Sequence, residues 1–325
     1  MKKYGIRFWG MVLGAVILAM MSSPLVAQEK FPTRDISLVI PFAPGGNVEM
    51  NAQFLRPLLQ KILGLNVVIV MKPGGSTTIG AHFAANSPPD GYTLMAHTAS
   101  LLCTQYTTKT GVSYKKFDPI IRTTAMPYGV CVSTGSPLKT FKDLIDYAKA
   151  NPGKMSIGNS GAGAMNHISW LGLEMILGVK FTHIPFKGSG PYTTALVGGH
   201  IDAAMSDLNS LFPLIQAKKV RMLAVSSSER ATTLPDVPTF KEYGFELDVG
   251  SWSVYFAPQG TPRDRIQILH NVFKEAMDTT DYKEFYKKQG TDISYMNIEA
   301  LSAWLDRQNK LWKSIIDFAK FEPVD

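Results

Sequence analysis

Cysteine is almost absent from this chain: Cys103 and Cys131 are the two that stand among 325 residues. A scaffold stapled by disulfides is thereby excluded, and at most one bridge can form. Cys103 follows Leu101 and Leu102, and Cys131 lies between Val130 and Val132, which is the setting of small buried hydrophobes. There is no CxxC, no HExxH and no ligand spacing among the six histidines, so no metal site is expected. No GxxxxGK[ST] occurs, which removes a phosphate loop of the nucleotide-hydrolysing kind. Charge is sparse too, at 18% of residues, and no Lys/Arg run exceeds a pair, so the chain carries no nucleic-acid footprint. Long apolar runs are missing everywhere except at the start.

There, Lys2, Lys3 and Arg7 precede an apolar stretch over 8–21, followed by Ser22, Ser23, Pro24, Leu25, Val26 and Ala27. A positive start, an apolar run and a small residue at the end make a secretory signal peptide over 1–27. The run falls short of the ~20 residues that span a bilayer, which leaves an uncleaved anchor as the alternative. Cleavage after Ala27 removes three cations and no acids, leaving 30 Lys+Arg against 26 Asp+Glu, a net +4. The predicted mature chain is exported, and its charge tolerates an anionic ligand without requiring one.

What is there is a steady alternation of β-rich runs and amphipathic stretches. Strands are predicted over 36–42, 65–70, 92–96, 130–133, 156–159, 181–184, 202–205, 221–225 and 251–256. Between them lie helices over 54–62, 79–86, 141–150, 165–177, 193–197 and 211–217, with a helical C-terminus carrying the apolar stripe Leu301, Trp304, Leu305, Leu311, Trp312, Ile315 and Ile316. Thr140 with Asp143 forms a capping box, and Gly178 and the pair Gly198 and Gly199 are helix stops. Repeated βα units imply parallel sheets flanked by helices, and the length suggests two lobes. The predicted division is a discontinuous first lobe, 28–127 with 254–325, and a second lobe, 128–253, joined by a two-segment hinge.

Three Gly-rich loops fall at strand-to-helix junctions: Pro44 to Asn47, Pro73 to Thr78, and Asn159 to His167. Glycine lets backbone amides turn toward a ligand, and the helix that follows adds partial positive charge. One such loop per lobe, facing across a cleft, suits a small carboxylate. Phe42, Met165, Met205 and Trp252 are candidates for the distal wall, and equally good core residues. Each loop alone also reads as a tight turn, Asp207 as a solvated helix-start acid, and His167 as a polar residue on a buried helix. A competing reading takes Gly158 to Ala162 as a near match to the G-x-S-x-G nucleophile elbow, making Ser160 the nucleophile of an exported serine hydrolase. The motif ends in Ala162 rather than Gly, and the nearby His167 is not far downstream of the Ser and an acid, where a hydrolase histidine normally lies.

Many separate segments, in order, resemble one family. They are Phe31-Pro-Thr-Arg34 with Ile36 to Gly46, Lys72-Pro-Gly-Gly75 with Ile79-Gly-Ala81, and Pro89 to Leu94. Further on come Ala148 to Lys154, Ile184 to Gly188, Arg221 to Val225, Leu234 to Thr239 and Ala257 to Pro262. The chain resembles the solute-binding receptors of tripartite tricarboxylate transporters, the Bug or TctC-like proteins. That resemblance implies an α/β Venus-flytrap fold that closes over a small organic acid and delivers it to membrane permease subunits. It implies a monomer without cofactor, and no enzyme activity. Carried onto this chain, the ligand-binding residues are Gly45, Gly46 and Asn47 in the first loop and Ser160, Gly161, Gly163, Asn166 and His167 in the second. Thr98, Ser100 and Asp207 border the same cleft. Where the family has a third Gly and then Thr-Asp, this chain has Asn47, Val48 and Glu49, and Ala164 stands where Ser is frequent. An amide from Asn47 or Asn166 is therefore expected in place of a hydroxyl. A sensor subunit that presents its loaded form to a signalling receptor would share the same pocket.

Overall fold

The computed structural model describes residues 30–44, 47–161, 163–288 and 293–323. The predicted leader, Gly45 and Gly46 lie outside the described residues, and Asn47 is described for its backbone alone.

The run Ile36–Ile40 (β1) is buried almost throughout, as an apolar strand flanked on both sides must be. It pairs in parallel with Val67–Met71 (β2) and Thr93–His97 (β3), placing Leu38 opposite Ile69 and Leu94. Parallel neighbours need long crossovers, and Asn47–Leu63 (α1) and Thr78–Ala85 (α2) supply them. After β3, Ser100–Thr107 (α3) forms a helix that the periodicity did not reveal.

The next strand departs most from the sequence reading. Phe117–Ser133 (β4) is 17 residues long, whereas the sequence suggested a strand over 130–133. Pro119 and Pro127 interrupt the pattern that would mark it, because proline cannot donate to a ladder. The pairing with Gly250–Pro258 (β9) absorbs this by slipping register between Pro119 and Ile121 and again between Arg122 and Thr124. From Phe117 to Pro127 the strand pairs with β9, and from Tyr128 onward it lies between Ala203–Asp207 (β7) and Val220–Val225 (β8). One strand thus runs through both halves of the sheet, whose order is β2-β1-β3-β9-β4-β7, then Ser156–Asn159 (β5) and Thr182–Pro185 (β6).

The second half repeats the βα grammar. Phe141–Ala150 (α4) opens on the predicted capping box, with Thr140 accepting from the Asp143 amide and the Asp143 carboxylate accepting from the Thr140 amide. Met165–Leu177 (α5) has the bounds the sequence predicts and stops at Gly178, whose φ of 66° is one glycine tolerates. Ser189–Val197 (α6) and Leu208–Gln216 (α7) complete the crossovers. The C-terminal region is helical, as Arg263–Asp278 (α8), Thr280–Lys288 (α9) and Ile298–Ala319 (α10), with the short Ile293–Met296 (β10) added to the edge of β4. The apolar stripe of α10 is core: Leu301, Trp304, Leu305, Trp312, Ile315 and Ile316 are buried, and the helix packs on both α3 and α5. Both cysteines are free and buried, and burial raises their thiol pKa, that of Cys131 to about 12. No helix among the described residues is long and apolar enough to cross a membrane.

Candidate binding site

The loop between β5 and α5 is built from its own amides. Gly161 and Gly163 take φ of 119° and 77°, so a side chain at either would be strained. The Ser160 N–H donates to Asn166 Oδ1 at 3.1 Å, the Gly161 N–H to Asn159 Oδ1 at 2.9 Å, and the Gly163 N–H to His167 Nδ1 at 3.1 Å. The Ala164 N–H closes on the Gly161 carbonyl at 3.1 Å. These are the amides a sequence reading would turn toward a ligand, and here they hold the loop. What the loop leaves open is one step further on. Ala164 gives α5 no side-chain cap, and among the described residues the first-turn amides of Met165, Asn166 and His167 have no acceptor. The half-buried Ser160 hydroxyl likewise has no partner among them.

Asn166 is buried and fully used: Oδ1 accepts from Ser160, and Nδ2 donates to the Met205 carbonyl at 3.3 Å. It pins the loop after β5 to β7, the next strand. Beside it, the Tyr192 hydroxyl donates to Ser206 Oγ at 2.8 Å, and Asp207 ends the strand. Asp207 caps α7, with its oxygens accepting from the Ser210 N–H and Oγ–H, each at 2.9 Å. Tyr128 on β4 stands opposite Asp207. Its phenol is pushed up by burial first and then by the charges of Asp207, Tyr192 and the Cys103 thiol on α3. Tyr128 therefore marks where β4 meets the end of β7. Nothing in its local sequence distinguishes it from a core aromatic.

On the other side, Thr98 and Ser100 form a short hydroxyl pair, with Oγ atoms 3.0 Å apart and the Ser100 N–H reaching Thr98 Oγ1 at 3.3 Å. His97 just before them is fully buried. Its Nδ1 lies 2.9 Å from the Thr98 amide nitrogen and 3.1 Å from the Thr98 carbonyl oxygen, and its Nε2 has no partner among the described residues. Desolvation lowers His97 to about 4, and its ring stands edge-on to Phe42 at 5.2 Å. The loop after β2 is strained, with Gly74, Gly75, Ser76 and Thr77 all at positive φ and the buried Thr77 hydroxyl unpartnered. Sequence reasoning flagged this loop as Gly-rich but not its two non-glycine outliers.

His167 has a second neighbour besides Gly163. Its ring meets His183 at 5.0 Å and Phe321 at 5.9 Å, both edge-on. Desolvation, and then His183, lower His167 to about 4. His183 in turn faces Glu174 at 3.3 Å. Burial alone would raise that carboxyl, but His183 and the Phe181 N–H at 2.6 Å reverse the direction. No hydrogen bond joins Ser160 to a histidine among the described residues. Of the proposed distal wall, Met205 and Trp252 are buried in the core, while Phe42 and Met165 are half-buried.

A family model for the tripartite tricarboxylate transporter family receptor matches residues 52–320. The UPF0065 protein in the gbd 5' region of Cupriavidus necator is 34% identical over 310 residues, covering 95% of this chain and 94% of that one. Among solved structures, a TctC solute binding protein from Polaromonas superposes with a TM-score of 0.82 at 28% identity, covering 89% of this chain and 99% of that one. MatC from Rhodopseudomonas palustris, with bound malate, gives 0.69 at 27% identity over 88% of this chain and all of its own. Another R. palustris protein, with adipate, gives 0.72 at 27% identity over 91% of this chain and all of its own. The mixed α/β fold is that of two-lobed periplasmic binding proteins. The chain belongs to the tripartite tricarboxylate transporter receptor family, the solute-binding proteins of Bug type.

Proposed function

We propose that the protein is an exported receptor that holds a small dicarboxylate between its lobes and hands it to a membrane permease. The observation that carries this reading is the uncapped first turn of α5. Its amides and the Ser160 hydroxyl offer donors, and the helix dipole adds favourable potential for an anion. Bound malate and adipate in two structural relatives point to the same class of ligand. In this reading the amides of Gly161 and Gly163 act through the loop they stiffen, and Asn166 and His167 are its braces. Thr98 and Ser100 supply hydroxyls from the opposite wall, and Gly45, Gly46 and Asn47 are assigned to the same ligand on the family motif alone. Asp207 favours ligands that carry an amine or a hydroxyl. In this reading the lobes divide between Pro127 and Tyr128 on β4 and between Ser253 and Val254 on β9.

Binding is read as thermal stabilisation: malate or adipate at ~100 times its dissociation constant adds ~2.7 kcal/mol. Ser160→Ala is expected to weaken that ligand about tenfold by removing one charge-assisted hydrogen bond. If no carboxylate in a panel of di- and hydroxy acids shifts the melting temperature, the receptor reading fails. The serine hydrolase alternative draws no support from the geometry around Ser160. Labelling by a serine-directed fluorophosphonate would restore it.

A further inference from the structure

A second hollow, of about 800 Å³, opens where β4 and β9 pass from one half of the sheet to the other. Of the residues named above for carboxylate binding, Trp252, a distal-wall candidate, lines it, and none of the loop, hydroxyl or Asp207 residues does. The register explains why. Tyr128 meets Asp207 and β7 on one edge of β4, while on the other its N–H donates to the Val249 carbonyl and its carbonyl accepts from the Ser226 N–H. The candidate carboxylate site uses the β7 edge, and Ser226 and Val249 belong to the hollow. Its wall also takes in Arg122 on β4 and Trp304, Arg307 and Gln308 on α10.

The wall carries polar groups that the fold does not use up. Gln308 is 4% exposed, and its Nε2 donates to Asp248 Oδ2 at 3.0 Å, beside the Trp304 indole N–H at 3.1 Å. That leaves Gln308 Oε1 as a buried acceptor without a partner among the described residues, and Ser227 Oγ is in the same position. Burying such atoms costs stability unless a donor reaches them. Asp248 is otherwise exposed toward the hollow. Arg122 is buried, stacked 4.6 Å over Trp304 and donating to the Ser294 carbonyl, so its charge is fixed in the wall. Arg307 is exposed and makes no hydrogen bond or ion pair among the described residues, although its charge reaches Asp248. The charged lining is close to balanced: Arg122, Arg230, Lys241 and Arg307 against Glu229, Glu246 and Asp248. A dianion would meet Asp248 uncompensated, and a diamine would meet Arg122 and Arg307.

We propose that this hollow is a second ligand site, and that it takes a small zwitterion such as an α-amino acid. The ammonium pairs with Asp248, and the carboxylate faces Arg307. The site stands independently of the dicarboxylate reading.

The test titrates the purified protein with glycine, L-alanine and L-glutamate by calorimetry and by tryptophan fluorescence, which Trp304 in the wall reports. Saturable binding below about 10 mM is expected. Arg307→Ala, a change at an exposed position that leaves packing intact, should weaken it at least about tenfold, and Asp248→Asn similarly. Ser160→Ala should leave amino-acid affinity unchanged, and Arg307→Ala should leave malate or adipate affinity unchanged. Absence of saturable amino-acid binding overturns the proposal. So does binding that Ser160→Ala weakens and Arg307→Ala does not, since the amino acid would then occupy the carboxylate site. Neither result touches the receptor reading, which fails on the carboxylate panel alone.

Discussion

Two imidazoles near the candidate site are kept neutral by their surroundings. Both His97 and His167 fall to about 4, below the 6.5 of a free histidine, chiefly through desolvation. The folded state therefore holds protons less readily than the unfolded chain. The stability linked to these groups is complete above about 6.5 and is lost as the pH falls toward about 4. For His167 the loss has a visible mechanism: protonating Nδ1 would remove the acceptor of the Gly163 N–H and loosen the loop. His167→Gln cannot titrate and keeps an acceptor, so its melting temperature should fall less than the parent's between pH 6.5 and 4. Identical profiles would show that His167 does not carry the effect. Asn166→Leu should cost about 1–3 kcal/mol in urea unfolding, because it strands the Ser160 N–H and the Met205 carbonyl in a buried site. These roles were only half legible in the sequence. Residue types and spacing marked Asn166 and His167, but they could not say that the side chains turn back on their own loop.

Among the elements, helices were the more legible. Periodicity and local caps fix α4 and α5 because the signals lie within a turn or two of each other: Thr140 with Asp143, and the stop at Gly178. Thr140→Ala should cost about 1 kcal/mol, read as a lower urea midpoint with unchanged slope. Strands that depend on distant partners were less legible. β4 is broken in sequence by Pro119 and Pro127, and its continuity comes from a partner more than a hundred residues away that shifts register around the first of them. β10 is four residues long and becomes a strand by lying along Arg122 to Thr124. Asp248, Gln308 and Arg122 meet through three separate segments, which no local pattern announces.

For the whole molecule, α10 is the brace. It packs on α3 from one half and α5 from the other, with Trp312 fully buried in the shared core. Trp312→Ala should cost about 3–5 kcal/mol, and a smaller loss would mean that the halves hold together without it. If a dicarboxylate prefers the closed lobes, its addition should lower the radius of gyration measured by small-angle X-ray scattering, and an unchanged value would place closure elsewhere. The two-lobed plan was readable from the βα rhythm and the ordered family segments. The depth to which the halves are interwoven was not.

That interweaving limits how such a receptor can be re-engineered. With Phe117–Ser133 stitched into both ladders, a cut between Pro127 and Tyr128 would strip each fragment of an inner rung. Chimaeras that graft a foreign lobe onto this one must therefore import the entire crossing strand and splice in the surface loops on either side of it.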